Sequence, residues 1–326
     1  MPMIENFPAY WYTMGLSMLL CALLVWMLLR REKDVRRGKA AVFGLSFLVL
    51  GTALGLAAAK GAYLLIRITY ANKQFLSFVP EEFSYYGGVA GVILAAVLSA
   101  LIARIPVRKA LNTFAPAGAL LAAMARFAEA FLGFLGTAYL PDETVLPFPL
   151  AVTIDYSGDG SYVEYYLAVF VLEGLFSLIA MIISEIRRDE PDRFVRTLFY
   201  LCLPQIMLEY IRSSVLAWLF IKVEQLLCFV VVEAVLVWYG IAAARKHRFG
   251  FIPAIVGLAV AGLEILAQFA IDGKIWEGLP GWICYAAMGF GVVVLIFMEH
   301  WGRSKMMRLR GAPSSSRGRK DPVPQS

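Results

Sequence analysis

Long apolar runs alternate with short polar breaks along the whole chain, roughly at 9–30, 41–69, 86–104, 112–140, 165–186, 197–216, 223–244, 249–271 and 279–299. A membrane-spanning helix needs about 20 mostly apolar residues, and each run is of that order. Lipid cannot satisfy stray backbone groups, so every run must be helical, and a closed barrel would show short alternating segments instead. The pattern predicts an all-α, polytopic transmembrane helical bundle. Its last two runs follow the basic break ARKHR and contain few ionisable residues, so they read as two extra C-terminal spans added to a seven-helix core. The expected organisation is a core at 1–244, two additional helices at 245–302 and a basic, disordered cytoplasmic tail at 303–326, whose last part reads GAPSSSRGRKDPVPQS. No clear internal repeat is visible, which weighs against an inverted-repeat transporter.

The breaks carry an orientation signal. Arg31, Lys33, Arg36, Arg37 and Lys39 follow the first run, and Arg104, Arg108 and Lys109 the third. Arg187, Arg188, Arg193 and Arg196 follow the fifth, Arg245, Lys246 and Arg248 the seventh, and Arg303, Lys305, Arg308 and Arg310 the ninth. The even-numbered breaks are poor in basic residues, and PDETVLPFPLAVTIDYSGDGSYVEY contains no lysine or arginine. The positive-inside rule then places the N-terminus outside and the C-terminus in the cytoplasm. The first run lacks a preceding basic region, so it is expected to be retained as a span rather than cleaved as a signal peptide.

Composition agrees with a membrane protein: 60% of residues are hydrophobic and the mean hydropathy is +0.70. The net charge of +6 is accounted for by the basic breaks and tail, so no nucleic acid is implied, only attraction to anionic lipid. Cys21, Cys202, Cys228 and Cys284 all lie in apolar runs without metal-ligand spacing and read as packing residues. His247 and His300 lie beside basic residues at helix ends, which leaves no histidine at mid-membrane depth. Neither metal nor cofactor is implied.

Charged residues inside spans are expensive and need a partner or a function. Lys60 and Arg67 lie in the second run, Arg126 and Glu129 in the fourth, Glu173 in the fifth, Gln205, Glu209 and Arg212 in the sixth, and Glu224, Gln225 and Glu233 in the seventh. Arg126 and Glu129 are three apart, as are Glu209 and Arg212, while Gln205 and Glu209 are four apart; each set shares one helix face. Such pairs can simply hold helices together. With cations, tyrosines and glycines recurring on several runs, they also predict a polar cavity fit for an anionic lipid headgroup, since the guanidinium fork binds phosphate bidentately. The stretch SYYGGVAGVILAA admits two readings: Gly87 and Gly91 allow close helix packing, and Gly87-Gly88 offers unobstructed helix N-terminal N–H groups to an anion.

Several stretches together resemble the prolipoprotein diacylglyceryl transferase family over roughly residues 5–244. AYWYTMGLSMLL is similar to the family's aromatic-Tyr-Gly-Leu start, with Tyr12 as the matching tyrosine. LAAAKGAYLL resembles Gly-Ala-Arg-x-x-Tyr, with Lys60 for the arginine and Tyr63 retained. SYYGGVAGVILA resembles Ser-Phe-His-Gly-Gly-x-x-Gly, with Gly87, Gly88 and Gly91 kept and Tyr86 at the histidine. ARFAEAFLGFLG resembles Arg-x-x-Asn-Phe-x-Asn-Gly-Glu: Arg126 and Gly133 match, Glu129 and Leu132 replace the asparagines, and Phe134 the glutamate. LAVFVLEGLFSLI resembles Leu-Tyr-Glu-x-x-Leu-Glu-Gly, with Ala168 and Val169 for Tyr-Glu and Glu173 matching. PQIMLEYIR resembles Arg-x-x-x-Glu-x-x-Arg, with Gln205 for the first arginine and Glu209 and Arg212 matching; Gln225 matches a Gly-Gln motif.

The resemblance implies a bacterial plasma-membrane enzyme that moves diacylglycerol from phosphatidylglycerol to the cysteine thiol in the lipobox of a prolipoprotein signal peptide. It implies Arg126, Glu129, Tyr86 and Glu209 as catalytic residues, with Arg126 on the phosphate assisted by Lys60 or Arg212. Glu129 would take a proton or pair with Arg126, and Glu209 would orient Arg212. Tyr12, Tyr63, Gly87, Gly88 and Gln205 would complete the headgroup site. A catalytically silent lipid- or lipoprotein-binding relative and a membrane transporter are the alternative functions.

Overall fold

The computed structural model describes residues 5–67, 77–140, 146–155, 157, 161–213, 217–218, 221–244, 250–276 and 278–311. The helices are α1 (Phe7–Arg31), α2 (Arg37–Ile66), α3 (Tyr85–Ile102), α4 (Val107–Ala128), α5 (Val169–Ile186), α6 (Arg193–Ile211), α7 (Val223–Ala244), α8 (Ile252–Ile271) and α9 (Gly281–Gly311). Among the described residues, nine helices are long and apolar enough to cross a membrane, so the chain is a polytopic, predominantly helical membrane protein. The basic break with Arg245, Lys246, His247 and Arg248 lies outside the described residues, as does the tail beyond Gly311. Helix α9 continues to Gly311, so the part of the expected tail from Arg303 onward that is described is helical.

The chain divides into two compact units, Met1–Val231 and Val232–Ser326, with the division inside α7. In the first unit large apolar side chains cover the outer surface while charged groups are buried alongside the apolar core. Leu16, Leu19, Leu23, Leu45, Val49, Ile179 and Ile182 face outward, whereas Arg126, Glu173, Gln205 and Glu209 are buried. Lipid-facing apolar side chains and polar groups turned to the interior are what a hydrocarbon solvent selects.

Local sequence sets the helix ends. Asn6 caps α1 by accepting the Ala9 N–H at 3.0 Å, Pro8 occupies its first turn, and Arg30 and Arg31 sit at the favourable C-terminal end of its dipole. Ser84 caps α3 through the Gly87 N–H at 3.2 Å. Alanine-rich α4 is the most buried span, and its small side chains let α1, α5 and α6 close around it.

Helix α3 lies with its backbone against α2. A Cβ on Gly87 would come within 2.6 Å of the Ala58 carbonyl, and one on Gly91 would collide with the Leu54 carbonyl. Gly91→Leu is therefore expected to lower stability by about 1–3 kcal/mol or more, the usual range for overpacking. A thermal melt of the detergent-solubilised variant, matching wild type, would refute that packing role.

Two runs differ from expectation. Run 112–140 is not one helix: α4 ends at Ala128, one 3₁₀ turn follows at Glu129–Phe131, and strand β1 (Ala138–Tyr139) comes next. Run 165–186 begins as strand β3 (Val163–Leu167) before α5. With β2 (Ala151–Asp155), which lies in the long break that lacks basic residues, these form an antiparallel sheet in the order β1-β3-β2. A short hairpin of β4 (Ala217–Trp218) and β5 (Ile221–Lys222) joins α6 to α7. Gly133 and Gly136 have φ of +63° and +76°, values that favour glycine, and this is where the chain leaves the helical path.

In the second unit, α8 packs on α9 and again uses glycines. Gly291 of α9 lies where a Cβ would be 3.0 Å from Glu264 Oε1, and Gly302 faces Pro253 and Tyr239.

Candidate active site

Four of the charged residues singled out from the sequence meet in a closed ring of alternating charge. Arg126 Nη1 donates to Glu129 Oε1 at 2.7 Å, and Glu129 Oε2 accepts from Arg212 Nη2 at 2.9 Å. Arg212 Nη1 donates to Glu209 Oε1 at 3.1 Å, and the same oxygen accepts from Arg126 Nη2 at 3.0 Å. Two i,i+3 pairs, one at the end of α4 and one at the end of α6, thus face each other and exchange partners. Gln205, one turn before Glu209, adds a bond from Arg126 Nη2 at 3.1 Å.

Glu173 on α5 caps the ring: its Oε2 accepts from Arg212 Nη1 at 3.0 Å and lies 3.2 Å from Arg126 Nε. Gly136 lets the chain pass directly over Glu129, where a Cβ would strike Oε2; its carbonyl accepts the Phe170 N–H at 2.9 Å and its N–H bonds Ser213. The turn after α4 therefore presses the ring against the start of α5.

The hydrogen bonds of Arg126 all go to carboxyl or amide oxygens, and the centre of the Tyr85 ring lies 3.7 Å from its guanidinium. Arg126 is fully buried. Arg212 lies just past the end of α6. Burial alone would lower its pKa, but the carboxylates of Glu129, Glu173 and Glu209 outweigh burial and hold it above the ordinary arginine value. Lys222 in β5 donates to the Tyr210 carbonyl at 3.1 Å and to that of Arg212; burial pushes its pKa down, partly offset by Glu209.

A cavity of about 660 Å³ opens beside the ring within the first unit. Its walls are mainly apolar, from α1, α2, α3, α4 and α6, and its polar end is formed by Glu129, Gln205, Arg212 and Glu224, with Tyr10, Tyr85 and Tyr86 nearby. Arg126 and Glu209 stand behind that wall and do not line the cavity.

The expected site residues separate into three groups. Arg126, Glu129, Gln205, Glu209 and Arg212 lie in one cluster, but Arg126, expected on the phosphate, stands behind the cavity wall, and Arg212 is the arginine that lines it. Tyr86 reaches the same cavity, where its hydroxyl oxygen accepts from Cys228 Sγ at 2.8 Å and its ring centre is 5.9 Å from the Arg126 guanidinium. The others differ from expectation. Tyr12 is 79% exposed on the outer face of α1, while Tyr10, about 200° around the helix from it, lines the cavity. Lys60 is tied to Glu82 at 2.7 Å and to the Ser77 carbonyl at 2.8 Å, away from the ring. Tyr63 is buried between Lys60 and Arg67, each 5.7 Å from its ring centre. Gly87 and Gly88 reach the cavity wall, but their N–H groups are already bonded to Ser84, so the close-packing reading of these glycines holds and the open anion site does not.

Glu173, Glu224, Tyr10, Tyr85 and Lys222 were not expected at the site. The signal of Glu173 and Glu224 was present as intramembrane acids, and that of Tyr10 and Tyr85 as tyrosines two positions from Tyr12 and one from Tyr86, but the partners lie on other helices. All four cysteines are free and buried, in keeping with a packing role. Among the described residues no cluster of histidine, cysteine or carboxylate has a metal-binding arrangement.

The chain matches no curated protein. The sequence model of the family described as prolipoprotein diacylglyceryl transferase matches residues 2–241, ending inside α7 and leaving α8 and α9 outside the match. The buried arginine–glutamate ring falls wholly within that span, and the chain belongs to the prolipoprotein diacylglyceryl transferase family, a family of membrane transferases.

Proposed function

We propose that this protein transfers the diacylglyceryl group of phosphatidylglycerol to the lipobox cysteine thiol of a prolipoprotein signal peptide. We place it in a bacterial plasma membrane, with the N-terminus outside and the C-terminus cytoplasmic. One observation carries this reading: an apolar-walled cavity in a membrane bundle ends on a ring of arginines and carboxylates. Acyl chains suit the walls, and a phosphate that gains charge as it leaves suits preorganised cations. Arg212 is the cation on the cavity wall, and its Nε has no acceptor among the described residues. Arg126, one layer behind, holds Glu129 and Glu209 in place and contributes its charge through the ring. Tyr10, Tyr85 and Tyr86 supply hydroxyl groups around the headgroup, and the thiol must be delivered as thiolate because that is the nucleophile.

A silent lipid-binding relative is the second reading, favoured by the full burial of Arg126, whose Nη1 and Nη2 are both taken by side-chain acceptors of the protein itself. Purified protein incubated with phosphatidylglycerol and a lipobox peptide separates the two. Mass spectrometry is expected to find the thioether-linked diacylglyceryl adduct on the cysteine peptide and not on its serine counterpart. Bound phosphatidylglycerol with no adduct would replace the transferase reading with the binding one.

A further inference from the structure

The cavity is deeper than a headgroup needs. Its polar end is marked by Glu129 and Arg212, which directly follow α4 and α6. Its far end is reached at Phe114 on α4 and Phe194 on α6, and among the described residues none earlier on either helix lines it. Phe114 stands 14 residues before the end of α4 at Ala128, about 21 Å at about 1.5 Å per residue. Phe194 stands 17 residues before the end of α6 at Ile211, about 25 Å.

The two phenylalanines close the far end at one level. Asn112, two residues before Phe114, accepts the Phe194 N–H at 2.9 Å and donates to the Pro191 carbonyl at 3.0 Å, which Arg108 also bonds. The Phe114 ring meets Phe47 of α2 edge-on, with centres 5.2 Å apart. Side chains from three helices therefore form a fixed floor. Above it, Ala115, Gly118, Ala119 and Ala122 keep the α4 side of the shaft open.

The dimensions select the guest. A volume of about 660 Å³ over about 21–25 Å gives a mean section of about 26–31 Å². A helix about 10 Å across covers about 80 Å², so the apolar segment of a signal peptide does not fit as a helix. An extended hydrocarbon chain touching its neighbours at about 4 Å needs about 16–20 Å², so one chain fits and two side by side do not. Carbon–carbon bonds near 1.5 Å with angles near 111° advance about 1.25 Å per carbon, so about 21 Å holds about 16 carbons.

We propose that the shaft is a length gauge for the lipid donor: one acyl chain of phosphatidylglycerol enters extended, and Phe114 and Phe194 set its upper length at about 16 carbons. This rests on the transfer reading above. A longer chain must fold back or displace the floor, which is overpacking and corresponds to about 5- to 150-fold in selectivity. A shorter chain still fits, so the limit acts from above.

Gly118 lines the shaft one turn above Phe114, about 15 Å from the end of α4, or about 12 carbons. Gly118→Leu therefore raises the floor. The transfer assay is run with di-12:0 and di-16:0 phosphatidylglycerol mixed in the same vesicles, and mass spectrometry reads both adducts from each reaction. Wild type is expected to use both donors. Gly118→Leu is expected to lower the di-16:0 to di-12:0 product ratio at least about fivefold. Its di-12:0 adduct shows that the variant folds, and an unchanged ratio overturns the gauge. A Cβ on Gly118 comes within 2.8 Å of the Phe114 ring, so a Gly118→Leu variant that makes neither adduct is replaced by Phe194→Ala, which lowers the floor. Phe194→Ala is expected to raise the di-18:0 to di-16:0 ratio at least about fivefold, and the wild-type ratio in its place overturns the gauge. A wild-type protein that makes no adduct overturns the transfer reading instead. The gauge is then read by native mass spectrometry of phosphatidylglycerol bound from an equimolar mixture of chain lengths, where the same distribution on wild type and Phe194→Ala overturns it.

Discussion

Arg126→Ala should destabilise the folded protein by about 3–5 kcal/mol, the usual cost of stripping one partner from a buried ion pair. The side chain is fully buried and touches three carboxylates on three helices, at 2.7 Å for Glu129, 3.2 Å for Glu173 and 3.0 Å for Glu209. Without it Arg212 alone must neutralise all three. The loss is electrostatic rather than volumetric, so Arg126→Ala combined with Glu209→Gln should recover part of it. Chemical unfolding in detergent or nanodiscs measures both variants. A single variant that unfolds at the wild-type midpoint would mean that Arg126 does not hold the ring together.

Arg212→Lys is the second large effect, and it falls on activity. Lysine keeps the charge but replaces a planar fork by a single point. Arg212 uses Nη1 for Glu173 and Glu209 and Nη2 for Glu129, and it also lines the cavity. Losing an oriented donor on a developing negative charge typically lowers kcat about 10²–10³-fold, and that is the expected loss in adduct formation, with folding largely kept. Wild-type turnover by this variant would remove Arg212 from the chemistry.

The spans were legible because the membrane enforces one rule at every position, and a one-dimensional count of apolar residues captures it. The two i,i+3 pairs were legible for a similar reason: each lies within one turn at the end of a single helix, so spacing alone reveals the face. Glu173 and Glu224 were visible only as isolated acids, because what makes them part of the site is an arginine or a glutamate on another helix. Tyr12 reads as the tyrosine of the family's start motif, and two residues of offset turn a helical side chain to the opposite face, so the cavity receives Tyr10. The sheet between α4 and α5 stayed hidden because apolar residues continue through Gly133 and Gly136, whose positive φ rather than any polar signal ends the helical path. Departures from the family motifs also offset one another in charge. Glu129 for asparagine, Gln205 for arginine and Glu224 for the glycine of the Gly-Gln motif each shift the site by one negative unit, and Phe134 and Val169 in place of glutamates return two of the three.

The ring also bears on how the chain enters the bilayer. Helices α4 and α6 each bring an arginine with its own glutamate three residues away, so each crosses the hydrocarbon boundary as a locally neutral hairpin arm rather than as a naked cation. Once both are inserted, lateral association exchanges these private pairs for the shared ring. Helices α5 and α7 bring Glu173 and Glu224 unaccompanied, and a lone acid is most cheaply carried into lipid with its proton on. Assembly in the membrane thus begins from self-neutralised segments, and the charges that serve the mature site separate only when the helices that share them have met.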